Sequence, residues 1–199
     1  MYLVGLTGGI AAGKSTAANR LADHGAVIVD ADLLARDAVA PGTSAFAKIA
    51  KTWPQVITED GSLNRTALGE VVFSDDEARK TLESFVHPEV HRLAQDAITS
   101  HSESSIVIYV VPLLVEAAVD LPFDYVVTVE TSIDEQMRRL VETRGLTMEQ
   151  AKARLSSQVS SAARANHADE ILNSNQSLAE FLSDVDALWH RLALKARNG

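Results

Sequence analysis

The sequence contains no cysteine, which excludes disulfides and thiolate-ligated zinc; the expected setting is a reducing cytoplasm. It has no excess of positive charge either: 18 Lys and Arg against 27 Asp and Glu give a net charge of −9. Broad nucleic-acid binding needs basic side chains clustered to face phosphates, so no nucleic-acid partner is expected and any anion site must be local. No apolar run approaches the ~18 residues that a membrane span requires, and no membrane association is expected. The N-terminus enters a strand without a charged leader region, so no secretory signal is read there. What is there is 199 residues, 46% of them hydrophobic, which suits one globular unit with small inserted subdomains.

Five short runs rich in β-branched residues read as strands: "YLVGL" (2–6), "AVIVD" (26–30), "IVIYVV" (106–111), "YVVTV" (125–129) and "EILNS" (170–174). The first four are nearly continuous in apolar residues, as strands buried on both faces are; the fifth is weaker. Helical patterns alternate with them. Ser74 to Glu77, Ser132 to Glu135, Thr147 to Gln150 and Ser177 to Glu180 each fit a capping box. The alternation predicts a parallel sheet covered by helices on both faces. Two intervals exceed a minimal strand–helix–strand spacing. In 33–104, Leu82, Phe85, Val86, Val90, Leu93, Ala97 and Ile98 mark one face of a long helix, while 52–65 reads as a loop ending near a helix start. The interval 131–168 holds two helical patterns broken at 143–147. It also carries six basic residues: Arg138, Arg139, Arg144, Lys152, Arg154 and Arg164. Trp53 and Trp189 read as packing residues.

Gly8 to Ser15, "GGIAAGKS", satisfies G-x-x-x-x-G-K-S/T between a strand and a helix. Such a loop turns several backbone N–H groups toward one concavity, and the helix N-terminus adds positive partial charge. Gly8, Ala11, Ala12, Gly13, Lys14, Ser15 and Thr16 are therefore the expected ATP-binding residues. Lys14 would reach the β- and γ-phosphates and the Ser15 hydroxyl would ligate Mg²⁺; Ala11 and Ala12 are small enough not to obstruct them. The D-x-x-G and N-K-x-D signatures of switch GTPases are absent, and the third strand ends in Pro112 without an acid at its tip.

Asp30-Ala31-Asp32 follows the second strand and so belongs to the carboxyl edge of the sheet, where ligands bind in such folds. Two residues apart on leaving a strand, the two acids are expected on the same side. A carboxylate there can accept the proton of a phosphoryl acceptor, and Asp32 is the preferred base. Which of the two touches the metal stays open, as does the ordinary reading that either caps the next helix.

The segments "LTGGIAAGKS", "VDADLLAR", "VHPEV" (86–90), "VVPLLVE" (110–116), "EQMRRL" (135–140) and "ADEIL" (168–172) resemble, in order and spacing, those of dephospho-CoA kinases. The resemblance runs from Val4 to about Ser177. It implies a three-layer α/β P-loop core with a five-stranded parallel sheet, a helical CoA-binding insertion and a helical lid. The expected boundaries are 1–32, 105–130 and 166–199 for the core, 33–104 for the insertion and 131–165 for the lid. The implied reaction transfers the ATP γ-phosphoryl group to the 3′-hydroxyl of dephospho-CoA, with Mg²⁺, to give CoA and ADP. The alternatives are another small-molecule or nucleoside monophosphate kinase of the same fold and a non-catalytic ATP-binding module. Asp32 matches the family's base and Arg139 its lid arginine; Lys14 is the third expected catalytic group. A second lid arginine falls on Thr143 here, so Arg144 takes its place if the helix has already ended, as Gly145 implies. Arg164 is a further candidate for a lid phosphate contact. For the acceptor, Asp32, Arg65, His87 and Leu113 are the candidates, and Glu116 could orient it. Asn173 and Ser174 depart from the family's acid and asparagine near the expected adenine pocket. The chain is expected to be a monomer or a small homo-oligomer.

Overall fold

In the computed structural model of the chain, residues 1–101, 105–112, 114 and 121–198 are described; Leu113 and Glu116 lie outside them. Among the described residues, five strands form one parallel sheet: β1 (Tyr2–Gly8), β2 (Val27–Asp30), β3 (Ile106–Val110), β4 (Tyr125–Glu130) and β5 (Glu170–Asn173), in the order β2-β3-β1-β4-β5. β1 is central, pairing Leu6 with Val110 on one side and Gly8 with Val129 on the other. That register sets the carboxyl ends of β1 and β4 side by side. The weak fifth run is an edge strand, alternately buried and exposed, which explains its diluted apolar pattern.

Helices α1 (Lys14–Asp23) and α9 (Leu178–Asn198) cover one face of the sheet. Phe181, Val185, Leu188 and Leu192 recur at helical spacing on α9 and pack with Ala17, Leu21, Val4, Leu6 and Ile108. At the rim of this layer Arg20 donates two bonds to Asp186, at 2.6 and 2.7 Å, and His24 lies 2.6 Å from the same carboxylate. His24 also stacks on Trp189 at 5.7 Å. The bonds from Arg20, then His24, hold the Asp186 carboxyl well below the usual range. Both partners are about one-third exposed, so the pair is screened. We expect Asp186→Asn to lower Tm by no more than ~2–3 °C in a chain of this size; a thermal melt reads it.

The chain forms two compact units: Met1–Asp30 with His101–Gly199, and Ala31–Ser100. The second contains α2 (Ala31–Asp37), α3 (Ser44–Thr52), a 3₁₀ turn at Pro54–Val56, α4 (Arg65–Ser74) and α5 (Asp76–Thr99). Its core joins Val39, Ile49, Val56 and Leu68 to Trp53, Leu82, Phe85 and Val86, so part of the apolar face expected on the long helix packs there; Ile98 is buried too, whereas Val90, Leu93 and Ala97 are half-buried. Glu89 lies on that face, 6% exposed. Ser44 donates to it at 2.6 Å, and Arg92 donates to its other oxygen.

Two expectations about local geometry are corrected. The cap of α5 is Asp75, which accepts from Glu77 N and Ala78 N at 2.8 and 3.2 Å. Ser74 is the last residue of α4, and its hydroxyl is drawn back to the Glu70 carbonyl. Asp30 and Asp32 do not share one face of an extended strand. β2 stops at Asp30 and Ala31 already opens α2, so Asp32 is helical, where each residue turns by ~100°.

Within the first unit, β4 leads into α6 (Ile133–Glu142), α7 (Met148–Ser156) and a third, short helix, α8 (Ser161–Ala165), that the sequence pattern does not reveal. Thr147 and Gln150 form a complete capping box on α7. Ser177 and Glu180 exchange both bonds before α9. Ser132 caps α6 through Glu135 N, whereas the Glu135 carboxylate turns to arginines.

Candidate active site

The turn from β1 into α1 is lined by backbone polar atoms with an uneven distribution of partners. Gly13, the N-cap of α1, offers no side chain, no side-chain bond caps the helix, and its first turn has no acid. The N-terminal N–H groups of α1 are thereby left to an anion. The carbonyls of the loop, in contrast, all accept side-chain donors. Lys14 Nζ donates to Gly8 O at 2.6 Å and Gly9 O at 3.0 Å. Gln136 Nε2 donates to Ile10 O at 2.7 Å, Arg139 Nη1 to Ala11 O at 3.1 Å, and Ser174 Oγ to Ala12 O. Five successive carbonyls are thus engaged by side-chain donors, which lessens their repulsion of phosphate oxygens brought to the neighbouring helix start.

These groups border a cavity of about 330 Å³, lined by Ala11 through Thr16, by Arg139 and Arg144, and by Ser174, Leu178 and Phe181. Six of the seven expected ATP-binding residues are thus brought together; Gly8 lies one step back, where its carbonyl anchors Lys14. Ser15 is exposed in the first turn of α1. Among the described residues no three His, Asp or Glu side chains gather to hold a metal. The exposed Ser15 hydroxyl is one oxygen donor of the kind a hard divalent cation such as Mg²⁺ would take.

Arg139 is locked in place. Its Nε donates to Glu135 at 2.7 Å, Nη1 also reaches Ser174 Oγ at 3.1 Å, and Nη2 donates to Ser174 O at 2.9 Å. Bonds from Arg138 first, then from Arg139, pull the Glu135 carboxyl down to about 2. A carboxyl lowered on folding contributes stability above its unfolded value near 4.5, and that contribution is lost as pH falls toward 2. We therefore expect Tm to drop across that window in a pH series, and the drop to be shallower in Glu135→Gln.

Arg144 follows the end of α6. The Gly145 N–H bonds to Val141 O, and Gly145 takes φ +66°, closing the helix. The helical offset between positions 143 and 144 therefore no longer applies, and Arg144 borders the cavity. Arg164 does not. It is 4% exposed and gives two 2.7 Å bonds to Glu130, plus one of 2.6 Å to Val159 O. The guanidinium expected at a phosphate forms here a buried ion pair joining α8 to the end of β4. Burial pushes the Glu130 carboxyl up, but Arg164 and Thr128 outweigh it and hold it below its usual value.

Three of the acceptor candidates, Asp32, Arg65 and His87, lie in the second unit; the fourth, Leu113, is outside the described residues. Asp32 is exposed in the first turn of α2. Arg65 is exposed at the start of α4 and donates to the Arg36 carbonyl at 3.1 Å. His87 is exposed in the middle of α5, ahead of Pro88 inside the same helix, and not at a helix junction. Asp30, half-buried at the end of β2, belongs to the first unit. Burial first, and then its charge, raise the pKa of the Tyr109 phenol.

Four contributors escape the motif reading: Gln136, Gln158, Glu130 and the hydroxyl of Ser174. Gln136 alone leaves a signal, since it sits one turn before the buried Leu140 on the inward side of α6, a polar residue in a core register.

The family model for dephospho-CoA kinase matches residues 2–180. A dephospho-CoA kinase of Leifsonia xyli is 46% identical over 95% of this chain and 98% of its own length. One from Thermobifida fusca is 42% identical over 96% of each. A crystal structure of a Thermus thermophilus protein superposes with a TM-score of 0.83 at 31% identity, covering 96% of this chain and 97% of the other.

Proposed function

Since the chain belongs to the dephospho-CoA kinase family, we propose that the uncapped start of α1 holds ATP and that Asp32 and Arg139 complete the transfer to the acceptor. The chain is a P-loop kinase of the final step of CoA biosynthesis. In the proposed reaction the 3′-hydroxyl oxygen of dephospho-CoA bonds to the γ-phosphorus of ATP. The bond from that phosphorus to the β–γ bridging oxygen breaks, ADP leaves, and the hydroxyl proton passes to Asp32.

The observation that carries this reading is the loop with five carbonyls engaged by side-chain donors and its helix start without a side-chain cap. Lys14 gives up Gly8 O and Gly9 O to meet the β- and γ-phosphates, so the ammonium is already within a side-chain rotation of its working position. Ser15 would hold Mg²⁺, which when bound neutralises charge building between the β- and γ-phosphate oxygens. Arg139, braced by Glu135, offsets the negative charge of the moving group. Arg144 supports the same phosphates from the cavity rim, and Arg65 and His87 meet the acceptor. The segment 131–165 acts as the lid, shielding ATP from water. No helix among the described residues is long and apolar enough to cross a membrane; the reading places the enzyme in the cytoplasm, as a monomer or small homo-oligomer, without nucleic-acid partners.

A coupled ADP-release assay tests the whole. ADP formation should depend on dephospho-CoA and fall at least ~10-fold with AMP, adenosine or gluconate as acceptor. Equal rates with and without dephospho-CoA would contradict the proposal.

A further inference from the structure

One residue of the phosphate loop is held at both of its backbone polar atoms by side chains from two different helical segments. Gln136, on α6, donates to the Ile10 carbonyl at 2.7 Å. Gln158, just past α7, accepts the Ile10 N–H on Oε1 at 2.8 Å. Gln136 is 5% exposed, and an amide at that depth is held in one orientation by the partner it would otherwise lack. Its Nε2 also occupies the space beside Gly9, where a Cβ would collide with it. The residue after Ile10, Ala11, stands at φ +56°, a left-handed backbone that a non-glycine residue keeps only where its surroundings enforce it.

Resting on the donor-site reading above, we propose that Gln136 and Gln158 are positioning residues for the phosphate donor. By gripping Ile10 N–H and C=O together they hold the Ile10–Ala11 peptide in its turn and so aim the N–H groups that follow into the cavity. Neither side chain lines that cavity; both act through the backbone. Because the same grip fastens α6 and the end of α7 to the loop, nucleotide binding and the ordering of that segment favour one another, as linkage requires.

Calorimetry with ADP on the full chain reads the effect without turnover. Gln158→Met and Gln136→Met should each weaken ADP about 5- to 10-fold, the loss expected for one neutral hydrogen bond at a site that depends on it. The KM for ATP should rise by a similar factor, with the KM for dephospho-CoA changed less than about 2-fold and Tm little altered. The double variant should bind ADP about as weakly as the worse single one, because both act on one peptide. Gly9→Ala should weaken ADP as well, its Cβ displacing the Gln136 amide while standing 3.1 Å from Arg164 Nη2. Gln158 is half-buried, so its variant keeps the test available if Gln136 replacements unfold. Unchanged ADP affinity in Gln158→Met overturns the proposal. So does a pattern in which Tm falls, both KM values move together and the two substitutions add. A wild-type chain that binds no ADP strikes the donor-site reading itself, whereas normal wild-type binding with unaffected variants removes only the positioning role.

Discussion

Lys14→Ala lowers kcat/KM for ATP by at least ~100-fold, the range found when one preorganised donor is taken from a site of developing charge. The protein carries a net charge of −9, so attraction for a triphosphate has to come from local groups, and Lys14 is the ammonium within the loop itself. Its removal takes away the charge that would meet the β- and γ-phosphates, and in the nucleotide-free chain it also leaves Gly8 O and Gly9 O without the donor they have now. The fold should survive, because both bonds lie within five or six residues of Lys14 and the packing of α1 rests on Ala17, Ala18 and Leu21. Steady-state ADP release beside a thermal melt checks the two halves of this expectation. A variant with near-normal turnover would remove Lys14 from the mechanism.

Asp32→Asn lowers kcat by at least ~100-fold while the KM for ATP stays within about 2-fold, since a positioned general base contributes roughly 10²–10⁴. The substitution preserves size and one acceptor oxygen but cannot take up the proton of the acceptor hydroxyl. Stability should change by a few tenths of a kcal/mol at most, the worth of an exposed acid in a first helical turn. The pH–rate profile separates the base from a mere contact: the acidic limb disappears in the variant if Asp32 takes the proton, and persists with lowered amplitude if it does not. Asp30→Asn, in a residue that ends β2 within the first unit, should give a smaller loss. Wild-type-like turnover in Asp32→Asn would falsify its assignment as base.

The strands were legible because a parallel sheet covered on both sides leaves unbroken apolar runs, and the phosphate loop because its glycines and lysine stand at fixed spacing between a strand and a helix. Contacts that depend on where helices end were not. Arg164 reads as one more lid cation until the chain brings α8 back against Glu130, a meeting of residues 34 positions apart. Gln158 belongs to no pattern at all, since it follows α7 in an irregular stretch and finds its partner 148 positions away. The paired acids misled for a different reason: a two-residue alternation holds only while the chain stays extended, and Ala31 ends that at once. The short side chain of Ser174 reaches the Ala12 carbonyl while accepting from Arg139, a role invisible without the fold.

The outermost strands of the sheet, β2 and β5, are also its shortest, at four residues each against seven for β1. Among the described residues each margin is therefore a strand of roughly 13 Å at ~3.3 Å per residue, a short edge of the kind that resists pairing with a foreign strand. Refolding at high concentration should consequently return dispersed chains rather than fibrillar stacks.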